Sequence, residues 1–221
     1  MLYLFDIDGT LVDTGGAGIR ALEEAGCEIF GGSGPPLDLA GSTDLGIVEA
    51  FFGHFGVIPD PARVAAFFEV YHVRLAWNLT HGGFPGRVLP GVLELLETLE
   101  VRETAAVGLL TGNTAIGSAV KMRHFGLDRF FAIGAYGCDH ADRNRLGPLA
   151  LDRARVHFGR EFTAAETWII GDTPKDIACA RALGARCLAV ATGRFSSAEL
   201  TLHGADQVVP TLDEAADWLA T

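Results

Sequence analysis

Two acidic side chains follow the first apolar run of the chain, in the order Asp6-Ile7-Asp8-Gly9-Thr10. That run, Leu2–Phe5, is typical of a buried strand, and strand alternation would point Asp6 and Asp8 to the same side. One carboxylate of such a pair can attack phosphorus and form an acyl phosphate. The other can protonate the leaving alkoxide and then deprotonate the attacking water. The five residues are also rich in turn formers, so a plain strand-to-turn segment is the alternative.

Two further apolar runs end in polar residues. Residues 107–110 lead into Thr111-Gly112-Asn113, and residues 168–170 lead into the segment 171–176, which contains Asp172 and Asp176. In open parallel sheets the ligand crevice lies beyond the carboxyl ends of the strands. If the three strands are neighbours, one crevice therefore collects four carboxylates, a threonine hydroxyl and several loop N–H groups.

Four adjacent carboxylates require a counter-ion, because like charges raise one another's pKa. Mg²⁺ takes one or two carboxylates, keeps several waters and binds substrate phosphate. Oxygen-only ligands favour it over zinc, and the three loops contain no His or Cys. The sequence therefore predicts Mg²⁺ as cofactor, at a site that receives a phosphate bridged by the metal.

The phosphate itself needs hydrogen-bond donors. The Thr111 hydroxyl and the N–H groups of Gly112 and Asn113 are predicted to hold the phosphoryl oxygens, together with Gly9 and Thr10. By itself the segment 111–113 is equally typical of a strand-to-turn exit.

The segment 171–176 also contains a signal for the start of a helix. Asp172 and Thr173 are residues that commonly cap a helix N-terminus. This signal does not account for the second aspartate, Asp176, four residues later.

The remaining apolar runs predict the fold. Continuous runs suit parallel strands covered on both faces, and helical stretches lie between them, which predicts an α/β doubly wound parallel sheet. The predicted strands are residues 2–5, 105–110, 130–133, 168–170 and 187–191. The predicted helices of this part are residues 115–125, 148–158, 176–183 and 213–219.

Residues 14–87 interrupt the alternation with a helical pattern. Residues 44–55 and 61–79 are predicted helices, and the second has apolar side chains at the spacing of one helix face. The chain is therefore predicted to have a core domain of residues 1–13 and 88–221 and a helical insert of residues 14–87. The aromatic side chains of the insert are interpreted as its own core.

Composition limits the partners and the location. The formal net charge of −11 makes nucleic acid and anionic membranes poor partners. No apolar stretch approaches 18 residues, the N-terminus does not resemble a signal peptide, and the four cysteines match no zinc pattern. Cys179 and Cys187 are expected to be buried free thiols. These features favour a cytoplasmic location.

The three motifs, their order and the helical insert resemble the haloacid dehalogenase (HAD) superfamily. The chain is most similar to its phosphoglycolate phosphatase-like branch, with a helical C1-type cap between the first two motifs. The resemblance implies a Rossmann-like core, an aspartyl-phosphate mechanism and a small phosphorylated metabolite as substrate. It implies that Asp6 is the nucleophile and Asp8 the acid/base, and that the Asp6 side chain, the Asp8 backbone carbonyl and Asp172 hold Mg²⁺. Asp176 would support the metal's waters.

One departure from the family concerns its usual lysine before the third motif. The corresponding stretch, residues 139–148, has no lysine and offers Arg143 and Arg145 instead. A guanidinium can supply the charge and make a two-pronged contact. Arg143 is favoured, and Arg145 remains a rival because Pro148 stands where the family's second proline would stand relative to it. Lys175, in the third motif, is interpreted as a possible solvent-exposed side chain.

Other activities of the superfamily leave alternatives. A sugar-phosphate phosphomutase needs the same aspartates and differs in whether water reaches the acyl phosphate. A carbon–halogen hydrolase is disfavoured by Asp8, and a phosphonoacetaldehyde-type hydrolase by the absence of lysine from residues 14–87. A non-catalytic phosphate-binding module is a weaker alternative.

Substrate specificity is expected to lie in the insert. One of its four arginines could bind a substrate carboxylate, and the polar segment 41–44 is either a specificity loop or a helix cap. These arginines are Arg20, Arg63, Arg74 and Arg87.

Overall fold

The computed structural model of the protein describes residues 1–36, 39–84 and 86–215. Within these residues the chain alternates strands and helices, except where three helices follow one another between the second and third strands. The strands are β1 (Leu2–Phe5), β2 (Val12–Asp13), β3 (Arg87–Val88), β4 (Ala106–Thr111), β5 (Gly134–Tyr136), β6 (Thr167–Gly171), β7 (Arg186–Val190) and β8 (Gln207–Val209). The helices are α1 (Ala17–Phe30), α2 (Asp44–His54), α3 (Pro61–His81), α4 (Val92–Glu100), α5 (Ala115–His124), α6 (Leu146–Phe158), α7 (Pro174–Leu183) and α8 (Ser197–Leu202).

The main sheet has the strand order β5-β4-β1-β6-β7-β8, and its paired strands are parallel. Tyr3 of β1 lies opposite Val107 of β4 on one side and Trp168 of β6 on the other. The three strands that carry the polar motifs are therefore adjacent, and their carboxyl ends meet at one edge. The predicted α/β doubly wound sheet is confirmed.

Both faces of the sheet are covered, which explains the continuous apolar runs. Phe5 belongs to a buried cluster that includes Leu95 and Leu96 of α4. Leu4, the preceding residue, belongs to a cluster on the opposite face with Ala150 and Ala154 of α6. Cys179 and Cys187 lie in this second cluster as buried free thiols, as expected. Burial in an apolar core raises the pKa of Cys179 to about 12.

Helices α1, α2 and α3 form a third apolar cluster. Pro61 begins α3, Asp60 caps it through the backbone N–H of Arg63, and Phe67 and Tyr71 project from its buried face. The predicted core role of these aromatic side chains agrees with their burial. Val120 of α5 packs against the same cluster, so the helical insert rests on the sheet domain at that helix.

The chain leaves and re-enters the sheet domain through a short antiparallel pair. Val12 of β2 lies opposite Val88 of β3, and Asp13 lies opposite Arg87. The division into a core of residues 1–13 and 88–221 and a cap of residues 14–87 stays a prediction, which this pair supports. We call residues 14–87 the cap below.

The strand predicted at residues 130–133 is wrong. Asp128–Phe130 is a 3₁₀ turn, and the fifth strand is Gly134–Tyr136. Phe130 lies in this turn and Ile133 in the segment that connects it to β5, and both side chains are buried. Their apolar character therefore reflects burial and does not indicate a strand. A short apolar run cannot distinguish the two cases.

Other boundaries differ less. Helix α6 begins at Leu146 and not at residue 148, and β8 and the β2–β3 pair escaped prediction because they are only two or three residues long. Of the residues predicted as a helix at 213–219, Asp213 and Glu214 belong to a 3₁₀ turn, Leu212–Glu214, and residues 216–219 lie outside the described residues. Across the part of the chain that the structure describes, no helix has the length and apolar character needed to cross a membrane.

Candidate active site

Asp6 and Asp8 lie where β1 ends and the chain turns. The Asp6 N–H continues the sheet by donating to the carbonyl of Ile170, 2.9 Å away, and its side chain is buried. The turn closes with the Gly9 N–H on the Val12 carbonyl, also at 2.9 Å. Gly9 has a φ of 79°, and a Cβ there would lie 2.3 Å from Oδ2 of Asp172. Glycine is therefore required both by the turn and by the approach of Asp172.

Three of the four predicted carboxylates converge. Asp6, Asp172 and Asp176 each offer an oxygen within 4.8 Å of the others, and all three residues are buried. Asp8 stands apart from this cluster, because its half-exposed side chain is bound by Lys121. The structure thus separates the two carboxylates of the first motif into different surroundings.

Asp172 occupies a tight space between two glycines. A Cβ on Gly193 would lie 1.8 Å from Oδ2 of Asp172, and a Cβ on Gly9 would clash with the same oxygen, as described above. Burial raises its pKa to about 8, and the neighbouring charges of Asp176 and Asp6 add to the effect. A carboxyl in this state is a site that a cation would convert to its charged form.

Thr10 was predicted to bind phosphate, but its side chain does not line the cavity. Its side chain is fully buried, and its hydroxyl donates to Oδ1 of Asp172 at 3.2 Å. The hydroxyl therefore orients a candidate metal ligand, and a direct bond from it to phosphate is not supported.

Arg143 is the cation at the cluster. Its side chain is buried, with Nη2 3.0 Å from Oδ2 of Asp6 and in a close ion pair with Asp176. The same nitrogen donates to the carbonyl of Leu110 at 3.4 Å. Burial opposes the charge, but Asp176 and Asp6 outweigh it and raise the pKa of Arg143. The guanidinium therefore stays charged in contact with the candidate nucleophile.

Arg145 is not part of this arrangement. It ends the 3₁₀ turn that Arg143 begins, and its side chain is exposed. Of the two arginines left open by the sequence, the structure brings only Arg143 to the carboxylates.

Asp176 has a structural role that the sequence analysis missed. Its Oδ2 accepts hydrogen bonds from the N–H and hydroxyl of Thr173, and the Thr173 hydroxyl accepts from the Asp176 N–H, which is a capping box at the start of α7. The helix-start signal therefore includes Asp176 and not Asp172. Since its other oxygen binds Arg143, Asp176 orients that guanidinium, and its predicted support of metal waters stays a prediction.

The second motif is hydrogen-bonded internally and to Asp8. Thr111 is fully buried, and its Oγ1 accepts from the backbone N–H and the side-chain Nδ2 of Asn113, at 3.3 and 2.9 Å. The Asn113 Nδ2 also donates to Oδ2 of Asp8 at 2.8 Å. Gly112 and Asn113 line the cavity, as expected for residues that hold phosphate.

Lys121 is a site residue that the motifs did not reveal. It lies on α5, is 3% exposed and contacts both carboxylate oxygens of Asp8. A signal was present in the sequence, since Ser118, Lys121 and Met122 share the helix face that is buried. A lysine on the apolar face of a predicted helix requires a buried partner.

Residues 41–44 are a cap segment that both lines the site and contacts the core. Thr43 caps α2 through the Gly46 N–H, and its hydroxyl also donates to the Ala141 carbonyl in the core at 2.6 Å. Asp44 accepts from the Thr114 N–H at 2.7 Å, and burial raises its pKa to about 6 although Lys121 acts in the opposite direction. The segment is therefore both a helix cap and a contact with the core.

Lys175 belongs to the same contact. Its Nζ donates to the Ser42 hydroxyl at 2.7 Å, so the interpretation of a solvent-directed lysine is wrong. The cap arginines are placed differently from the segment 41–44. Each has an exposed side chain in an ion pair with an acidic residue, and none lines the cavity: Arg20, Arg63, Arg74 and Arg87.

These groups surround a cavity of about 510 Å³ between the core and the cap. The core side of its lining carries charge, with Asp6, Asp172 and Arg143, whereas the cap side includes Ile19 and Ile47. The volume is in the range of small-molecule sites. Ser42 and Asp44 of the cap also line the cavity, so a small molecule there meets a charged floor and a mixed apolar and polar cap wall.

Comparison with known proteins assigns the family. The sequence profile described as "Haloacid dehalogenase-like hydrolase" matches residues 3–190. The chain belongs to this family. The predicted membership and the predicted enzymatic character, a hydrolase of this family, are confirmed.

Relatives of this haloacid dehalogenase-like hydrolase align with nearly the whole chain. A protein of Thiobacillus denitrificans named "Phosphoglycolate phosphatase" is 29% identical over 223 residues, covering 96% of this chain and 92% of that relative. The Dickeya dadantii protein named "Probable phosphatase IndB" is 28% identical, covering 96% and 90%. CbbY of Rhodobacter sphaeroides, solved in complex with phosphate, has a TM-score of 0.74 at 18% identity, covering 96% and 95%, and so shares the fold.

Proposed function

We propose that the protein is a Mg²⁺-dependent phosphatase that hydrolyses small phosphomonoesters through an aspartyl phosphate on Asp6. The observation that carries the proposal is the buried Asp6 carboxylate, 3.0 Å from Arg143 and grouped with Asp172 in a cavity that also contains Asp8. Both curated relatives are named as phosphatases, which supports phosphoric monoester hydrolysis. A cytoplasmic location stays a prediction.

In the first step Asp6 attacks phosphorus. An Oδ–P bond forms, the ester P–O bond breaks, and Asp8 transfers its proton to the leaving alkoxide. Arg143 stabilises the charge that accumulates on the phosphoryl oxygens, because its guanidinium is held by Asp176 and needs no reorganisation. Gly112 and Asn113 line the cavity, which supports the prediction that this segment binds those oxygens.

In the second step water attacks the phosphorus of the acyl phosphate. Asp8 takes the water's proton, the Oδ–P bond breaks, and inorganic phosphate leaves with Asp6 regenerated. The two surroundings fit the two roles. Asp6 is buried beside a fixed cation, whereas Asp8 is half exposed and close to the space that a leaving group or water would enter.

The donor set fits Mg²⁺. Asp6 and Asp172 offer carboxylate oxygens, the resemblance adds the Asp8 backbone carbonyl, and no His or Cys belongs to the described cluster. The metal would supply positive charge that neutralises the phosphate and the carboxylates together. Thr10 and the two glycines hold Asp172 in place for this purpose.

The substrate class is tested with a panel of phosphate esters, scored for released inorganic phosphate. Release from small alkyl phosphates supports the proposal, and no release from any ester in the presence of Mg²⁺ contradicts it. A time course with glucose 1-phosphate separates the phosphomutase alternative, because a mutase yields the isomeric sugar phosphate and little free phosphate. Phosphoglycolate belongs in the panel because one relative carries its name.

Arg143→Ala is expected to lower kcat by roughly 10²–10³, the usual cost of removing an electrostatic stabiliser. The exposed Arg145 provides the matched control, and Arg145→Ala should be much milder. Arg143→Lys should recover only part of the rate, because lysine is shorter and lacks the second terminal nitrogen, Nη1, that donates to the Gly41 carbonyl while Nη2 contacts Asp6 and Asp176. Steady-state kinetics of the three variants measure this ranking, and the opposite ranking would transfer the role to Arg145.

A further inference from the structure

Lys121 is the strongest feature of the cavity that the proposed mechanism leaves unused. Its Nζ lies 2.8 and 2.6 Å from the two carboxylate oxygens of Asp8 and 2.6 Å from Oδ1 of Asn113. Its side chain is almost completely buried, whereas that of Asp8 is 45% exposed. A buried lysine is costly unless it is paired, and here Asp8 and Asn113 are its partners.

We propose that Lys121 is a positioning residue, which with Asn113 holds the Asp8 carboxylate in the orientation needed for proton transfer. This proposal rests on the proposed function, since it assigns Asp8 the acid/base role. We call Lys121, Asn113 and Asp8 the acid/base clamp.

The geometry of the clamp favours positioning over substrate binding. An ammonium has three N–H bonds, and Lys121 has three acceptor oxygens within 2.8 Å. With its donors directed to Asp8 and Asn113, it has none left for a substrate anion. Lys121 therefore acts through Asp8 and does not bind the substrate.

Asn113 connects the clamp to the phosphoryl site. Its amide is fixed by Lys121 at Oδ1, and its Nδ2 donates both to Oδ2 of Asp8 and to Oγ1 of Thr111. A displacement of the Lys121 ammonium would release the amide and the carboxylate together. The clamp thus sets the position of Asp8 relative to the residues predicted to hold phosphate.

The clamp also explains why Asp8 stays out of the carboxylate cluster. Without Lys121, a half-exposed side chain after the end of β1 would sample several rotamers at little cost. Two bonds from Lys121 and one from Asn113 fix it on the side of α5, away from Asp6, Asp172 and Asp176. One carboxylate is thereby kept for the proton, while the other three include the proposed nucleophile, Asp6, and the proposed metal ligand Asp172.

The test compares Lys121→Met with wild type, Asp8→Asn and the double variant. Each is assayed on an alkyl phosphate, whose leaving group must be protonated, and on p-nitrophenyl phosphate, whose leaving group needs little help. The rate of leaving-group release in the first turnover reports the first step alone, since the second step is common to both esters. In this rate Lys121→Met should lose roughly 10²-fold on the alkyl ester, the lower range for general acid catalysis, and only a few-fold on the aryl ester. The double variant should be no slower than Asp8→Asn, because the two residues act as a unit.

Two variants separate positioning from a structural role. Lys121→Arg should recover part of the alkyl-ester rate, and Arg123→Met, at an exposed position on the same helix, should leave both rates unchanged. If Lys121→Met does not fold, Lys121→Gln is assayed in its place, since a neutral polar side chain fits the same space.

The outcomes distinguish this proposal from the one on which it rests. Equal losses on both esters in this first-turnover rate, or losses that add fully to those of Asp8→Asn, would overturn the positioning role. A rise in KM confined to esters with a second anionic group would overturn it too and assign Lys121 to the substrate. If Asp8→Asn itself retains full activity on the alkyl ester, the acid/base role in the proposed function fails, and this proposal fails with it.

Discussion

Asp6→Asn should abolish turnover while the protein stays folded. An amide nitrogen or oxygen at this position cannot form the acyl phosphate, so kcat is expected to fall on the order of 10⁴-fold or more, as for removal of other covalent nucleophiles. The substitution is nearly isosteric, and its amide oxygen can still accept from Arg143, which keeps its contact with Asp176. Phosphate release and the thermal unfolding temperature, measured on the same preparation, separate lost chemistry from lost structure.

Asp152→Asn, at an exposed position on α6, is the matched control and should leave the rate unchanged. Mass spectrometry adds a second measurement. With p-nitrophenyl phosphate, whose leaving group needs little protonation, Asp8→Asn should form the acyl phosphate and hydrolyse it slowly, so phosphate should be found on Asp6 in that variant and be absent from Asp6→Asn. Substantial activity of Asp6→Asn, or phosphate attached to another residue, would contradict the assignment of the nucleophile.

The positions of the main catalytic candidates follow from short-range sequence patterns and one topological rule. Each motif directly follows an apolar run, and the rule that ligands bind at the carboxyl ends of parallel strands brings Asp6 and Asp172 together once β1 and β6 are neighbours. The sequence could not exclude Arg145, because Arg143 and Arg145 lie two residues apart in a polar stretch. Their orientations are set by the 3₁₀ turn before α6, which the pattern does not encode.

Contacts between distant segments account for most of what the sequence did not reveal. Asp8 and Lys121 are 113 residues apart, and Asp44 meets the Thr114 N–H across 70 residues. Neither pairing has a local signature, since the first depends on how α5 packs beside the end of β1 and the second on how the cap is seated on the core. The strand wrongly placed at 130–133 has a different cause. Its side chains are buried like those of a strand, and burial is what an apolar run reports.

Chelation should remove activity as completely as loss of Asp6. Three buried carboxylates share the space around one arginine, so the charged form of the cluster is disfavoured without a further cation, and the raised pKa of Asp172 reflects this. EDTA treatment should therefore abolish phosphate release, and added Mg²⁺ or Mn²⁺ should restore it. Ca²⁺ should inhibit, because its larger and looser coordination shell misplaces the nucleophile. Full activity after exhaustive chelation would refute the metal role and the placement of Asp172.

The same carboxyl predicts a pH dependence of metal binding. The pKa of Asp172 is raised to about 8 in the folded chain from an ordinary value of 3.8, so its contribution favours the fold at low pH and is lost as the pH rises from about 4 to about 8. Mg²⁺ binds the charged carboxylate, so below about pH 8 it must first displace the proton from Asp172. The affinity for Mg²⁺ should therefore increase as the pH rises to about 8. The rise in unfolding temperature on adding Mg²⁺ should accordingly be larger at pH 8.5 than at pH 6. Asp172→Asn, which has no proton to displace, should abolish this difference, and an equal Mg²⁺ shift at both pH values in the wild-type protein would show that Mg²⁺ displaces no proton from Asp172 in this range.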